Sequence, residues 1–233
     1  MSFAVILAAA GSSSRFGADR NKLVQLLAGK PVIAHTLRLF LMRADVAQVI
    51  LSANDDSDVA CQRHPAWLEL LQDDRVTRVA GGASRAQSVL NALRAVRQSV
   101  EWVAVHDAAR PLVSQAVIDR TLELARRHGA AVPALAVALT IKRAKGPLPA
   151  KVECTVPRQQ LWAMQTPQIA RRAELLRAFK SCPIPLDEVT DDVQLIELAG
   201  GEVYLSAGDE RNLKITTQLD LQLAELLMAQ KGN

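Results

Sequence analysis

Short unbroken apolar runs alternate along this chain with longer stretches in which apolar residues return every three or four positions. The first run, residues 3–10, reads FAVILAAA. A half-exposed strand would alternate apolar and polar residues, so continuous apolar character over so short a length predicts a strand buried on both faces. Further strands are predicted at 46–53, centred on Val49-Ile50-Leu51, and at 76–79, 102–106, 130–133, 203–206 and 213–216. Helical spacing lies between them. Pro31 suits the first turn of a helix with Ile33, Leu37, Phe40 and Leu41 on one face. Pro65 begins a new turn within 58–71. Ser84 can cap a helix that turns Val89, Leu90, Leu93 and Val96 inward, and Ser114 another that runs through Leu122 and Leu124 to Arg127. Residues 171–179 read as helix. Thr190 is the predicted N-cap of the helix carrying Val193, Ile196 and Leu198, which Gly200-Gly201 closes. The last helix, 217–230, reads as leucine-rich on one side and as a packing element only.

The alternation lapses between 134 and 158. Residues 140–147 read as strand and basic turn, returning through 152–155 as a hairpin too small for a core of its own. Residues 161–164 and Ile169 rejoin the main sheet. The pattern predicts one three-layer α/β domain over 1–233 around a mostly parallel twisted sheet, from which 135–158 projects as a β-arm.

Composition narrows the function. Of 233 residues, 49% are hydrophobic, ample for a sizeable core, while only 3% are aromatic, which disfavours base-stacking surfaces. The net charge of +4 suits an anionic partner. The cations are scattered among Asp and Glu with no basic run, so a phosphorylated small molecule fits better than nucleic acid. Cys61, Cys154 and Cys182 lack the spacing of a zinc site or disulfide framework, and no apolar run is long enough to span a bilayer. A cytoplasmic, non-membrane protein is the expectation.

Candidate chemistry collects at strand ends. Gly11-Ser12-Ser13-Ser14 lets backbone N–H groups surround a phosphate, and Arg15 and Lys22 add fixed charge; the lesser alternative on the loop alone is a plain strand-to-helix turn with two solvated cations. Gly81-Gly82 follows another strand, and 102–106 delivers Asp107. In an open parallel sheet ligands gather outside the carboxyl ends of strands, so Gly11, Gly82 and Asp107 converge. Asn54-Asp55-Asp56-Ser57 reads as a solvated loop with a helix cap rather than a metal site, and His106 as a core histidine without a chemical role.

LAAAGSSSRFGADRNK resembles the nucleotide-binding signature of sugar-nucleotide-type nucleotidyltransferases, in which an LAAG-type strand end is followed by an Arg and then a Lys. Within that group, Val105-His106-Asp107-Ala108-Ala109-Arg110-Pro111 is similar to the signature of the 2-C-methyl-D-erythritol 4-phosphate cytidylyltransferase family of the non-mevalonate isoprenoid pathway. Gly81-Gly82 with Arg85 and Ser88, Thr155-Val156-Pro157-Arg158, Thr166-Pro167-Gln168, Thr190-Asp191 and Asn212-Leu213-Lys214 fall in that family's order, over essentially the whole chain. The chain departs at Ser13, Asn21 and Leu23, where the family usually has Gly, Pro and often Gln; this bears on loop geometry and leaves the cations in place.

The resemblance implies a Rossmann-like nucleotidyltransferase fold and transfer of CMP from CTP to 2-C-methyl-D-erythritol 4-phosphate, with Mg2+ implied by the triphosphate and no protein ligand assigned to it. It implies catalytic roles for Arg15 and Lys22 at the reacting phosphorus and the leaving pyrophosphate, and for Arg158 and Lys214 on the incoming phosphate. Ala9, Ala10, Gly11, Gly82, Arg85, Ser88 and Ala108 would bind the nucleotide. Asp107, Arg110, Thr140 and Thr190 would bind the polyol phosphate, with Thr140 and Arg110 reaching across a homodimer held by the arms. A cytidylyltransferase for another polyol phosphate, such as ribitol 5-phosphate, stays open; that group tends to carry Val at the position of Ala109. A nucleotide sensor without catalysis is disfavoured by the four cations.

Overall fold

The computed structural model describes residues 2–9, 16, 21–53 and 64–230. Its elements are β1 (Phe3–Ala8), a small hairpin of β2 (Leu26–Leu27) and β3 (Lys30–Pro31), α1 (Val32–Leu41), β4 (Val46–Ala53), α2 (Pro65–Leu71), β5 (Val76–Ala80), α3 (Arg85–Ala95) and β6 (Trp102–Asp107). The second half holds α4 (Gln115–His128), β7 (Ala130–Ala136), β8 (Ile141–Ala144), β9 (Val152–Val156), β10 (Trp162–Met164), β11 (Gln168–Arg171), α5 (Arg172–Lys180), α6 (Asp192–Leu198), β12 (Tyr204–Ala207) and α7 (Gln218–Ala229).

β1 is apolar throughout because both its faces are covered. Phe3, Val5 and Leu7 enter one hydrophobic layer, beneath α1 and α4, while Ala4 and Ile6 enter the other, beneath α3, α5 and α6. The sheet runs β5-β4-β1-β6-β11-β7, with β10 and β12 also paired to β7. β5, β4, β1 and β6 are parallel, whereas β11 runs antiparallel to both its neighbours. From β1 the chain builds outward through β4 to β5, then returns to place β6 on the other side of β1. The crossover helices α1 and α3 therefore cover opposite faces, and a crevice opens at the carboxyl ends of β1 and β6. Ser84 and Ser114 cap α3 and α4 as expected, accepting from the N–H groups of Gln87 (3.1 Å) and Val117 (3.3 Å); each such cap contributes about 1 kcal/mol. β8 and β9 form a separate two-stranded sheet with mostly exposed side chains, the hairpin predicted from the sequence.

Three expectations are corrected. Residues 213–216 form no strand: Ile215 donates one backbone hydrogen bond to Ala109 (2.9 Å), and its apolar character reflects burial in the first layer rather than strand pairing. The N-cap of α6 is Asp191, not Thr190; Asp191 Oδ1 accepts from Gln194 N–H at 2.9 Å, and a carboxylate suits the positive helix end better than a hydroxyl. α7 is not leucine-rich on one side alone. Ala224, Leu221 and Leu227 face the core, but Leu219 and Leu226 are 70% and 64% exposed, so its leucines occupy both faces.

His106 is fully buried, edge-on to Phe40, and serves packing as the sequence suggested. Its Nε2 lies 3.1 Å from the carbonyl of Arg110 and its Nδ1 3.1 Å from Thr166 Oγ1. A carbonyl can only accept, so Nε2 carries the proton and Nδ1 accepts from the threonine hydroxyl. Burial pushes the pKa of His106 down to about 4. An unfolded histidine takes a proton near pH 6.5, so between about 6.5 and 4 the unfolded state binds the extra proton and stability falls as pH falls, by about 3 kcal/mol across the window. Chemical denaturation at stepped pH is expected to show this slope in the wild type and a slope smaller by about one proton in His106→Gln. Equal slopes would contradict the buried neutral imidazole.

Candidate active site

β6 delivers Asp107 to the crevice beside the end of β1. Its backbone is fixed first: the N–H donates to Thr166 Oγ1 at 3.1 Å, the same hydroxyl that faces His106. Its carboxylate is then surrounded by cations. Lys214 Nζ stands 2.9 Å and Arg110 Nε 3.4 Å from Oδ2, and Arg85 Nη2 is 3.5 Å from Oδ1. Burial by itself would raise the pKa of Asp107. The charges of Lys214, Arg85 and Arg110 outweigh it and hold the carboxyl well below the usual range, so Asp107 is ionised throughout the neutral region. Arg85 has a second carboxylate, Asp192 Oδ2, at 2.8 Å.

Two cavities meet at this cluster. The first is walled by Ala8 and Ala9 after β1, by Lys22 and Leu23, by Ser88 of α3 and by Ala109. The second is walled by Arg110, by Met164 to Thr166, by Gln168, and by Thr190 and Asp191 ahead of α6. Arg85, Asp107 and Lys214 line both. Adjoining cavities with shared cations can hold two anions side by side, a situation that water alone opposes through repulsion.

Of the residues singled out from sequence, Ala9, Lys22, Arg85, Ser88, Asp107, Arg110, Thr190 and Lys214 are brought together here. Gly82 adjoins them, its N–H donating to Ser88 Oγ at 2.9 Å; a side chain there would sit 2.3 Å from Gln87 Cγ, so glycine is required by close approach. Ala108 lines neither cavity. Its N–H donates to Ala8 and its carbonyl accepts from the Thr36 hydroxyl, and Ala109 faces the first cavity beside it. Arg110 lines the second cavity of its own chain, which corrects the expectation that it reaches across a dimer; its guanidinium is tied to Asp107 and to the carbonyl of Asn212 at 2.7 Å. Arg158 and Thr140 lie at the arm, exposed and lining neither cavity, with Arg158 donating to the carbonyl of Ala138. Arg15, Ala10 and Gly11 fall outside the described residues.

The structure adds a polar scaffold. Buried Gln168 accepts at Oε1 from the N–H groups of Asp192 (2.9 Å) and Val193 (3.1 Å) and donates to Asp191 Oδ2, so β11 holds the start of α6. Gln165 and Asn212 similarly fasten the segment that carries Lys214: Gln165 donates to the carbonyl of Asp209 (2.9 Å), and Asn212 to that of Thr166 (2.9 Å). The sequence signal was a row of polar residues, Gln165, Thr166 and Gln168, where a sheet strand should be apolar. Among the described residues, no three His, Cys, Asp or Glu side chains group to hold a metal, and the Asp107 carboxylate is already taken by cations. The described residues therefore do not form a magnesium cage.

The model of the family described as IspD, 2-C-methyl-D-erythritol 4-phosphate cytidylyltransferase, matches residues 3–230. A protein of that name from Bacillus pumilus is 39% identical over all of both chains, and one from Alkaliphilus metalliredigens 37% identical over 97% of this chain and 93% of its own. The bifunctional enzyme IspD/IspF of Desulfotalea psychrophila is 41% identical over 98% of this chain, which spans only 57% of that longer protein. Among solved structures, the Francisella tularensis cytidylyltransferase superposes with TM-score 0.81 at 28% identity, covering 97% of this chain and 99% of that one. The Thermus thermophilus enzyme gives 0.78 at 32% identity over 98% and 100%. Sequence and fold agree over the same full span, and the chain belongs to the 2-C-methyl-D-erythritol 4-phosphate cytidylyltransferase family.

Proposed function

We infer that the first cavity takes CTP and the second the polyol phosphate, and that the chain transfers CMP from CTP to 2-C-methyl-D-erythritol 4-phosphate. The products are 4-diphosphocytidyl-2-C-methyl-D-erythritol and pyrophosphate. The observation that carries this assignment of cavities is Lys214, anchored 2.9 Å from Asp107 in the wall the two cavities share, where an attacking phosphate and an α-phosphate would meet. A phosphate oxygen attacks the α-phosphorus, a new P–O bond forms, and the bond to pyrophosphate breaks. The nucleophile is already ionised, so the step needs charge stabilisation rather than a general base. This agrees with a site rich in cations, whose one nearby imidazole is buried and neutral.

Lys22, with Arg15, stabilises charge on the triphosphate and the departing pyrophosphate. Lys214 holds the incoming phosphate, while Asp107 and Thr190 accept from or share hydrogen bonds with the polyol, and Arg110 stiffens that wall through Asp107. Magnesium bound with the triphosphate would neutralise part of its charge, and no described residue is assigned to hold it. The arm acts in trans within a homodimer: Arg158 and Thr140, which line neither cavity of their own chain, complete the second cavity of the neighbour.

Comparing turnover of 2-C-methyl-D-erythritol 4-phosphate with ribitol 5-phosphate tests the substrate; faster turnover of ribitol 5-phosphate would overturn the assignment. Lys22→Ala is expected to lower kcat about a hundredfold, roughly 3 kcal/mol, with little change in KM, because its charge acts on the transition state; an unchanged kcat refutes that role. The arm is tested by complementation. Arg158→Ala and Lys214→Ala are each expected to be nearly inactive, but a hybrid dimer places both defects in one site and leaves the other whole. Random co-assembly makes about half the dimers hybrid, so about one quarter of wild-type activity should return. Verified heterodimers as inactive as either parent would place both residues in one chain's site.

A further inference from the structure

Asp192 is a carboxylate that the mechanism above does not use. It is 2% exposed at the first turn of α6, and its only ion pair among the described residues is with Arg85, 2.8 Å away. No other hydrogen bond is directed at either oxygen among the described residues. Burial raises the pKa of this carboxyl group and the adjacent Arg85 charge works against that rise, for a carboxylate buried this deeply is costly unless a cation neutralises it. Its location is fixed independently of that cation, because Gln168 captures the backbone N–H groups of Asp192 and Val193.

Arg85 belongs to α3, which follows the Gly82 loop, and its guanidinium lies between two acids, 2.8 Å from Asp192 but 3.5 Å from Asp107. It lines both cavities. The nearer acid sets its position. Without the charge of Asp192, the ion-pair partner left to the guanidinium among the described residues is Asp107, where it competes with Lys214 and Arg110 for the same group, with Asp191 adding a weaker pull.

We propose that Asp192 is a positioning residue for the transfer reaction: it holds Arg85 off Asp107, so that Asp107 and Lys214 stay available to the polyol phosphate. The inference rests on the reading of the second cavity as the polyol phosphate site. Asp192 touches neither substrate in this scheme, and its effect passes wholly through Arg85.

A double-mutant cycle tests it. In the wild-type background Asp192→Asn is expected to raise KM for 2-C-methyl-D-erythritol 4-phosphate about tenfold, with kcat falling less than about threefold; in an Arg85→Gln background the same change should move KM less than about twofold, the non-additivity of two residues acting as one unit. An equal KM increase in both backgrounds, or none in either, overturns the proposal. KM does not depend on the fraction of enzyme that is folded, so a loss of stability alone cannot mimic the result. If Asp192→Asn yields no folded protein, Asp192→Glu replaces it in the cycle: it keeps the charge, KM should stay within about threefold of wild type, and a tenfold rise overturns the proposal. Lys214→Ala separates the two readings. If it leaves the dissociation constant of the polyol phosphate, measured by direct binding, unchanged, the cavity assignment fails; if it raises that constant while Asp192→Asn leaves KM unchanged, only the role of Asp192 fails.

Discussion

A carboxylate cannot stay ionised under a protein surface without compensating charge, and the carboxylate of Asp107 is where this constraint shapes the molecule. Lys214, Arg110 and Arg85 come from three separate parts of the chain, and each is drawn to the same group. Their convergence ties the segment after β12, the loop after β6 and the start of α3 to a single point. Cations that line the two cavities are thereby held in place before any substrate arrives, and preorganised charge is the form in which electrostatics lowers a barrier most effectively. One ionic cluster ties the fold together and, in the proposed reaction, serves the chemistry.

The backbone beneath that cluster is equally constrained. Thr166 accepts from the N–H of Asp107 and donates to His106, while Gln165 and Asn212 fasten the neighbouring segment. These are polar groups in buried positions, each with a hydrogen-bond partner far away in sequence, although Asn212 Oδ1 accepts from none of the described residues. Replacing any of them leaves a buried group unpaired, and such networks are correspondingly intolerant of change.

How much of this was legible in the sequence depended on the range of the interaction. β1, β4 and β6 could be read because burial on two faces leaves an unbroken apolar run, and the caps at Ser84 and Ser114 because a cap is local. Thr190 was preferred over Asp191 as the α6 cap because both are good cap formers; the register is set by Gln168, which lies more than twenty residues away. Residues 213–216 imitate a strand because Leu213 and Ile215 alternate, though only burial explains Ile215. The outward leucines of α7 were hidden because leucines on two faces of a helix look alike in a list of residues. Lys22 and Asp107 can be read from the first loop and the strand-end pattern, whereas Lys214 is reached only through resemblance. Asp192 was missed, since a second acid in Thr190-Asp191-Asp192 looks like part of a cap until Arg85 is seen beside it.

Because the ties to Asp107 are buried, with only 10% of its side chain accessible, mobile ions scarcely weaken them. The approach of two multiply charged substrates from solution is different, for it takes place through water where counter-ions screen attraction. Raising ionic strength therefore separates two properties that share the same cations: the internal lattice of charge persists, while the long-range pull that brings phosphates to it fades.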